Sequence, residues 1–421
     1  MLRNRARWHV ANSGRGSCLP AADAHDASCL NGAVRVLFTF AGGTGHVLPL
    51  VPIARAAERA GHLVAFAGQE RMRPIVEEMG FRAFPSGGAT LLEAGERKPL
   101  LQFDPQREAR AVRMTFAGRV ARERADSVLA ICTEWSPDVV VRDEIDFGSV
   151  VAAERLGLPH TSVLCIASGS FVPNDLVIEP LNYLRASHGL PPDPGLAMLD
   201  RYLVLSPFPA SLRDPAAPAS PNTHLFRSME PEESTPDWLR EAGDGPLTYL
   251  TLGTIFNQES GDLFERALAA LRNLPGRVVV TLGRELDPRA LGRQPANVLA
   301  RSYVPQSQIL PHCGLVVSHA GSGSVLGALS HGVPMVLLPM GADQVLNATR
   351  AEQLRFAEVL DPAAATPAAI GIAAERVLTH PIYRQSAERI QREISALPGP
   401  EHAATLLERL HRERAAVPST S

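Results

Sequence analysis

A short polar stretch in the C-terminal part of the sequence has the residue types of an anion-binding turn. HAGSGS (319–324) follows the apolar run GLVVS (314–318) and precedes a stretch with helical spacing. Backbone N–H groups at a helix start, left accessible by glycines and supported by the helix dipole, suit a phosphate or diphosphate. His319 adds a ring donor and Ser324 adds a hydroxyl. The same composition also fits a helix that is simply capped by serine, so the turn alone leaves both interpretations open.

The pair Asp343-Gln344 favours the chemical interpretation. It comes shortly after the next apolar run, VPMVLLP (333–339), and therefore at the end of a neighbouring strand of a predicted parallel sheet. Ligands of open α/β sheets bind at the carboxyl ends of the strands. A carboxylate next to an amide offers both acceptors and donors to sugar hydroxyls. For Asp343 alone, an Asx turn that caps the following helix is the alternative.

A second glycine-rich turn lies near the start of the predicted folded region. AGGTGHV (41–47) follows the apolar run VRVLFTF (34–40). It lacks the G-x-G-x-x-G spacing, and no acidic residue clearly ends the second strand, which disfavours a nicotinamide dinucleotide. His46 lies where the helix begins, and we expect the helix N-terminus to lower the pKa of the imidazole and keep it able to accept a proton. The alternative is a buried, hydrogen-bonded histidine.

Three carboxylates follow a third apolar run, VVVR (139–142), and they belong to Asp143, Glu144 and Asp146. A carboxylate beside a histidine base selects the tautomer of the ring and stabilises the imidazolium. The residues alone leave open which of the three reaches His46. A solvated charged loop fits the same pattern.

Apolar runs alternate with helical stretches along the chain, which predicts an α/β fold with doubly wound parallel sheets. A Pro- and Ser-rich segment from Pro207 to Pro236 interrupts this alternation and is interpreted as a linker. We expect a ligand cleft between the two halves. The predicted ranges are a disordered extension (1–32), an N-terminal Rossmann-like domain (33–215), a C-terminal Rossmann-like domain (216–385) and a C-terminal helix that crosses back to the first domain (386–421).

Composition excludes several classes of function. The 421-residue chain fits two domains of about 150–200 residues. A net charge of −3, without a dense Lys/Arg cluster, argues against nucleic acid. No apolar run approaches the ~18 residues of a membrane span, and residues 1–32 lack the apolar core of a signal peptide. The five cysteines are scattered and lack CxxC spacing, which indicates reduced thiols, a cytoplasmic location and no zinc site.

The sequence resembles the GT-B-fold glycosyltransferases that act on natural products, a family of antibiotic, macrolide and plant secondary-metabolite enzymes. The main match is YVPQSQILPHCGLVVSHAGSGSVLGALSHGVPMVLLPMGADQVLNATR (303–350). AGGTGHVLPLVPIA (41–54), PDVVVRD (137–143) and TLGTIFN (251–257) match as well. The resemblance covers nearly everything after Val34. It implies a GT-B fold in which the first domain binds the acceptor and the second binds the nucleotide-sugar.

The resemblance also implies residue roles. His46 matches the general base that deprotonates the acceptor hydroxyl, and Asp143 matches the carboxylate that orients this base. Tyr303 stands where most relatives have Trp, so a smaller ring is expected to stack on the donor base. The implied donor site comprises the base-binding Tyr303 and Val304, the diphosphate-binding Thr254, His319, Gly321, Ser322, Gly323 and Ser324, and the sugar-binding Asp343 and Gln344.

The function implied is inverting transfer of a sugar from a nucleoside diphosphate to a hydroxyl of a hydrophobic natural product. The sequence has no Asp-x-Asp motif, and a helix end with His319 is available to the leaving group, so neither a metal nor another cofactor is expected. Relatives often carry a ribose-binding Glu eight residues after the turn histidine, where this chain has Gly327. This difference slightly favours a dTDP-deoxysugar over a UDP-sugar. A homodimer is left open.

The acceptor is less well defined. The segments Thr90–Gly118 and Ala167–Tyr183 interrupt the N-terminal alternation and carry apolar residues that either line an acceptor pocket or, for most of them, belong to the core. These residues are Leu101, Phe103, Met114, Phe116 and Phe171. The alternative functions are a GT-B enzyme for a lipid or sterol acceptor, a nucleotide-sugar epimerase, and a non-catalytic nucleotide-sugar-binding partner subunit.

Overall fold

The computed structural model describes residues 32–90, 97–228, 236–241 and 245–419. Nearly all of the predicted disordered extension (1–32) lies outside the described residues, as does part of the segment Thr90–Gly118. The described residues from Val34 onward form one compact unit that contains two sheets. Every neighbouring pair of strands described in these sheets is parallel, which confirms the predicted α/β class.

The first sheet has seven strands in the order β3-β2-β1-β4-β5-β6-β7. The order reverses between β1 and β4, and such a reversal opens a crevice at the carboxyl ends of the two strands. The strands are β1 (Arg35–Thr39), β2 (Leu63–Gln69), β3 (Arg82–Ser86), β4 (Val139–Asp143), β5 (His160–Val163), β6 (Leu203–Ser206) and β7 (Thr223–Leu225). The helices of this part are α1 (Thr44–Val47), α2 (Val51–Arg59), α3 (Arg73–Glu78), α4 (Pro105–Arg110), α5 (Ala121–Trp135), α6 (Phe147–Arg155) and α7 (Asn174–Ser187).

The second sheet has six strands in the order β10-β9-β8-β11-β12-β13, and its order reverses between β8 and β11. The strands are β8 (Leu247–Thr251), β9 (Arg277–Thr281), β10 (Val298–Arg301), β11 (Cys313–Ser318), β12 (Met335–Leu337) and β13 (Ala357–Val359). The helices are α8 (Asp237–Glu241), α9 (Leu263–Leu271), α10 (Ser322–Ser330), α11 (Gln344–Gln353), α12 (Pro367–Thr379), α13 (Pro381–Ser395) and α14 (Pro400–Glu413).

The central strands are buried on both faces. All residues of β4 and β8 are buried. The apolar residues of these strands fit this burial, and Arg142 and Asp143 of β4 and the threonines of β8 are buried polar exceptions. α2 lies at the surface and shows one apolar stripe, with buried Ile53, Ala54 and Ala57 and exposed Arg55 and Glu58.

Two predicted boundaries need correction. Thr223–Leu225, inside the predicted linker, forms β7 and pairs with β6, so the first sheet continues beyond the predicted end at residue 215. The signal was weak because β7 has only three residues in a Pro- and Ser-rich context. The predicted boundary at 386 divides α13, which packs on α10 and α12 beside the second sheet, whereas α14 packs on α2 beside the first.

A long helix with an unusual centre lies in the first half. α4 continues into a π-helical segment, Ala111–Val120, which in turn continues into α5. The π-helical segment packs against α7. A π-helix of this length is rare and widens the helix locally. Among the described residues, no helix has the length and apolar character needed to cross a membrane.

Candidate active site

The histidine of the first glycine-rich turn lies beside a buried carboxylate. His46 belongs to α1, just after β1, and Asp143 is the last residue of β4. Because β1 and β4 are neighbours at the reversal of the strand order, their carboxyl ends bring the two residues together. His46 Nδ1 lies 3.6 Å from Asp143 Oδ2. This is ion-pair distance, and catalytic contacts of this kind are often longer in the free enzyme than in complexes.

Asp143 is held rigidly by backbone donors. Its Oδ2 accepts from the N–H of Ala41 at 2.7 Å, and its Oδ1 accepts from the N–H groups of Ile145 at 2.8 Å and Asp146 at 3.0 Å. The side chain is fully buried. These bonds fix the carboxylate against the turn that carries His46.

The other two carboxylates have different partners. Asp146 forms a buried ion pair with Arg124 and caps α6. Glu144 Oε1 accepts from the backbone N–H of Cys165 at 2.6 Å, and burial raises the pKa of Glu144 to about 7. Of the three acidic residues left open by the sequence, Asp143 is therefore the one in ion-pair contact with His46.

The expected lowering of the His46 pKa is wrong. Burial lowers this pKa, but the negative charge of Asp143, with help from Asp343 and Glu144, outweighs burial and raises the pKa above its usual value. His46 lies in a helix of only four residues, and the charges that raise its pKa belong to carboxylates outside this helix. The ring is also in contact with Cys165, whose Sγ lies 3.4 Å from His46 Nδ1.

Glycine at position 42 is required by this arrangement. A Cβ at Gly42 would lie 2.1 Å from Cδ2 of His46. The ring therefore packs flat against a backbone that has no side chain, which explains why the histidine follows a run of glycines.

The second glycine-rich turn places a buried histidine at the carboxyl end of β11. His319 is followed by Ala320 and Gly321, and Gly321 is the N-cap of α10. Nδ1 of His319 finds no hydrogen-bond partner among the described residues. Burial lowers the pKa of His319 to about 4.

Two glycines enclose the ring of His319. A Cβ at Gly321 would lie 2.4 Å from Nε2 of His319, and a Cβ at Gly253, after β8, would lie 2.6 Å from the same atom. Gly253 also has a φ of +78°, which side-chain-bearing residues rarely adopt. The adjacent Thr254 contacts Thr44 of the first turn, with 3.3 Å between the two Oγ1 atoms. The first glycine-rich turn thus touches the turn after β8, and that turn packs on His319.

Asp343 and Gln344 lie beside this turn but have internal partners. Asp343 Oδ2 accepts from Ser322 Oγ at 2.6 Å and from Asn347 Nδ2 at 2.7 Å. Burial raises the pKa of Asp343, and these two hydrogen bonds offset only part of that rise. Gln344 Oε1 accepts from the N–H groups of Met340 and Gly341, so it fixes the loop before α11.

Ser322 and Asn347 also join the two halves of the molecule. Ser322 Oγ accepts from the N–H of Ala167 at 2.8 Å, and Asn347 Oδ1 accepts from the N–H of Ser168 at 3.2 Å. Ala167 and Ser168 follow β5, close behind Cys165. The Ser322 hydroxyl, predicted to hold a diphosphate, is thus engaged by Asp343, Asn347 and Ala167. Our sequence prediction did not assign a role to Asn347, although it belongs to the Asn-Ala part of the matched motif.

The remaining residues of the predicted donor site surround α10. Tyr303 is 38% exposed and carries the guanidinium of Arg284 above its ring at 4.3 Å. Val304 is buried. Ser324 Oγ accepts from Gln306 Nε2 at 3.3 Å. No described atom lies within 4 Å of a Cβ built at Gly323, so this backbone faces open space.

Position 327 leaves little space for a side chain. A Cβ at Gly327 would lie 3.0 Å from Leu310 Cδ1 and 3.1 Å from Gln306 Oε1. A carboxylate side chain at this position would therefore require Gln306 and Leu310 to move.

The residues suggested for the acceptor divide into two groups. Phe116 and Phe171 pack against the core cluster that joins the π-helical segment to α7. Leu101 and Met114 are 58% and 65% exposed. Phe103 is partly buried.

Comparison with known proteins agrees with this architecture. Residues 265–410 match a family described as the C-terminal domain of erythromycin biosynthesis protein CIII-like proteins. The chain is 26% identical to the demethyllactenocin mycarosyltransferase of Streptomyces fradiae, over 97% of this chain and 92% of that protein. It is 27% identical to the 10-deoxymethynolide desosaminyltransferase of Streptomyces venezuelae, over 90% of this chain and 97% of that protein.

Two solved structures have the same fold. The spinosyn forosaminyltransferase SpnP matches with a TM-score of 0.73 and 26% identity, over 90% of this chain and 100% of that chain. The glycosyltransferase VinC in complex with dTDP matches with a TM-score of 0.70 and 25% identity, over 90% of this chain and 100% of that chain. Such similarity along nearly the whole chain, together with the two parallel sheets, defines a GT-B-fold glycosyltransferase. Within that class, the chain is similar to glycosyltransferases that act on natural products, such as the mycarosyl- and desosaminyltransferases above.

Proposed function

We propose that this enzyme transfers a deoxysugar from a dTDP-sugar to a hydroxyl of a hydrophobic natural product, with inversion at C1 and without a metal. The observation that carries the proposal is the contact of the first glycine-rich turn with the turn after β8, which in turn packs on His319. His46 and Asp143 lie at one strand-order reversal, His319 and the start of α10 lie at the other, and Thr44 contacts Thr254 between them. A base and an anion-binding turn are therefore available to the two ends of one transfer reaction.

The base side of the reaction follows from the His46–Asp143 pair. With its proton on Nδ1 directed at Asp143, His46 has a free lone pair on Nε2 that accepts the proton of the acceptor hydroxyl. The acceptor oxygen forms a bond to C1 of the sugar while the bond from C1 to the diphosphate oxygen breaks. Asp143 stabilises the imidazolium that results, as its effect on the His46 pKa indicates.

The leaving group is served by neutral donors. The backbone N–H groups at the start of α10 and the ring of His319 are preorganised for the negative charge that develops on the diphosphate. His319 is uncharged at neutral pH because burial lowers its pKa to about 4. Asp343 offers a carboxylate to a sugar hydroxyl beside this turn, and its hydrogen bonds to Ser322 and Asn347 hold it in place.

The choice of nucleotide is supported by Gly327. A glycine at this helix position supplies no acceptor for a ribose 2′-hydroxyl, and the neighbouring Gln306 and Leu310 leave a Cβ little space. This favours deoxyribose. The dTDP in the VinC structure is consistent with a thymidine donor among similar proteins.

A donor panel tests the nucleotide and the transfer. Thermal shift with dTDP, UDP and GDP should give the largest stabilisation with dTDP, because a ligand that binds only the folded state stabilises it. Mass spectrometry of acceptors incubated with dTDP-sugars should then detect the glycosylated product. A clear preference for UDP would refute the nucleotide assignment. Loss of transfer in EDTA, restored by Mg²⁺, would refute the metal-free mechanism.

Replacement of His46 distinguishes an enzyme from a non-catalytic partner subunit that only binds a nucleotide-sugar. His46→Ala should lower the transfer rate by at least about 10²-fold. Its dTDP affinity, measured by calorimetry, should stay within about twofold of the parent because the ring does not belong to the anion-binding turn. An unchanged transfer rate would remove the base assignment.

A further inference from the structure

The transfer reaction leaves one group beside the base unused, and this group is Cys165. Its Sγ lies 3.4 Å from His46 Nδ1, and the same nitrogen lies 3.6 Å from Asp143 Oδ2. The sulfur, nitrogen and oxygen atoms lie within 4.8 Å of one another. Among the described residues, this is the cluster whose composition and spacing fit a metal ion. Nothing in the spacing of the cysteines along the sequence indicates it.

We propose that His46, Asp143 and Cys165 form an inhibitory site for a thiophilic divalent cation, with Zn²⁺ as the best match. The inference rests on the proposed role of His46 as the base. Zn²⁺ binds thiolate sulfur, imidazole nitrogen and carboxylate oxygen with bonds of about 2.0–2.3 Å in a tetrahedral arrangement. The edges of such a tetrahedron are about 3.4–3.6 Å, close to two of the separations present here.

The three ligands come from elements that the sheet holds together. His46 belongs to α1 after β1, Asp143 ends β4, and Cys165 is the second residue after β5. β1, β4 and β5 are consecutive neighbours in the first sheet. The side chain of His46 is 23% exposed, whereas Asp143 and Cys165 are buried, so an ion would approach the cluster from the side of His46 and solvent would supply the fourth ligand.

Metal binding at this site inhibits catalysis because it changes which ring nitrogen of His46 carries the proton. The ion binds the lone pair of His46 Nδ1, so the single proton of the neutral ring moves, through solvent, from Nδ1 to Nε2. Protonated Nε2 can no longer accept the proton of the acceptor hydroxyl. The thiol proton of Cys165 leaves to solvent as the zinc–sulfur bond forms. Mg²⁺ prefers six oxygen ligands and does not bind such a set.

The test measures inhibition in zinc buffers. Initial transfer rates are recorded for the full chain at set free Zn²⁺ concentrations, each relative to the metal-free rate of the same variant. In Cys165→Ala the concentration for half inhibition should rise at least about tenfold, because one of three ligands is lost. Cys132→Ala is the control, since Cys132 is buried on α5 outside this cluster and should leave the concentration unchanged. Mg²⁺ should not inhibit the parent enzyme.

A spectroscopic readout is independent of activity. Co²⁺ added to the full-length protein should give a thiolate-to-cobalt charge-transfer band in the near ultraviolet, and Zn²⁺ should displace it. The band should be absent in Cys165→Ala and retained in Cys132→Ala. Cys165→Ser, which nearly conserves the side-chain volume, replaces Cys165→Ala with the same expectations where the alanine variant does not fold.

Two results would overturn the inference. One is half inhibition of the Cys165 variant at the zinc concentration that inhibits the parent. The other is a cobalt spectrum without a thiolate band in the parent protein. A protein without detectable transfer but with a Cys165-dependent band would contradict the proposed function and leave the metal site supported, so the two failures are distinguishable.

Discussion

The two glycine-rich turns have the same local design and opposite electrostatics. Each follows a strand at a strand-order reversal, and each packs a histidine against a glycine that has no room for a Cβ. His46 has a raised pKa, whereas the pKa of His319 falls to about 4.

Burial cannot explain the difference, because it lowers the pKa of both histidines. The deciding group is Asp143, which lies beside His46 and has no counterpart at His319. The lesson is that a Gly-rich turn positions an imidazole, and a residue distant in sequence determines its ionisation. In the mechanism that we propose, one design therefore supplies a proton acceptor in the first half and a neutral donor in the second.

The largest expected effect comes from removing the charge that separates the two histidines. Asp143→Asn should reduce kcat by about 10³-fold, because the amide no longer selects the tautomer or stabilises the imidazolium. The pH–rate profile should shift toward lower pH as the His46 pKa loses its main raising influence. Steady-state kinetics across pH measures both effects.

Glu144→Gln is the control for this change. Glu144 is a neighbouring carboxylate that binds backbone N–H groups and influences His46 less than Asp143 does. Glu144→Gln should therefore reduce kcat much less than Asp143→Asn does. Equal losses in the two variants would contradict the special role of Asp143.

The second effect concerns stability at acid pH. His319 has a folded-state pKa of about 4, below its usual value of 6.5, so the unfolded chain binds more protons between these values. Its contribution to stability is complete above pH 6.5 and is lost as the pH falls toward 4, by at most about 3 kcal/mol. Urea unfolding of the parent across this range should show the decline.

His319→Gln should flatten this part of the stability–pH curve. His380→Gln, at an exposed histidine, should leave the curve of the parent unchanged. A parent and a His319→Gln variant with parallel curves would show that His319 is not buried in its neutral form.

The third effect tests the packing of the ring rather than its charge. Gly321→Ala would place a Cβ 2.4 Å from His319 Nε2, so either the ring or the turn must move. We expect dTDP affinity to fall about 10–100-fold, the equivalent of a local overpacking cost of about 1–3 kcal/mol. Gly195→Ala, at an exposed position outside the donor site, meets no atom within 4 Å and should change the affinity little. Calorimetry with both variants decides the point.

The smallest effect concerns the polar link between the halves. Asn347→Ala leaves the N–H of Ser168 and the carbonyl of Ala320 without their side-chain partner, which should lower the free energy of unfolding by about 1–2 kcal/mol. Asn273→Ala, at an exposed position on the surface, should lower it by less than about 0.5 kcal/mol. Urea unfolding of the two variants measures the difference.

Much of the fold could be predicted because its central strands are buried on both faces. β1, β4, β8 and β11 are short apolar runs followed by glycine or polar turns, and each strand was found near its predicted position. β7 was missed because three residues at a sheet edge carry too little pattern. The π-helical segment Ala111–Val120 was missed because its apolar spacing predicts neither a strand nor an ordinary helix.

The site was predictable to the level of residue types. The positions of His46 and His319 after strands could be inferred because parallel strands end at a common edge. The pKa of His46 could not be inferred from the sequence, since it depends on Asp143 and Asp343, which come close to His46 only after folding. No sequence pattern marks Cys165 as part of the site, because it contacts His46 and this residue lies more than one hundred positions away in the sequence.

The return of α14 to the first half has a consequence for biosynthesis. Leu406, Leu407 and Leu410 of α14 and the later Val417 are buried in the same apolar cluster as Phe38 of β1. β1 ends at Thr39 and α14 begins at Pro400, so the ribosome makes α14 long after β1. The core of the first sheet is therefore incomplete until both halves have been synthesised, and a nascent chain or a protein truncated before α14 exposes an apolar surface to chaperones and proteases.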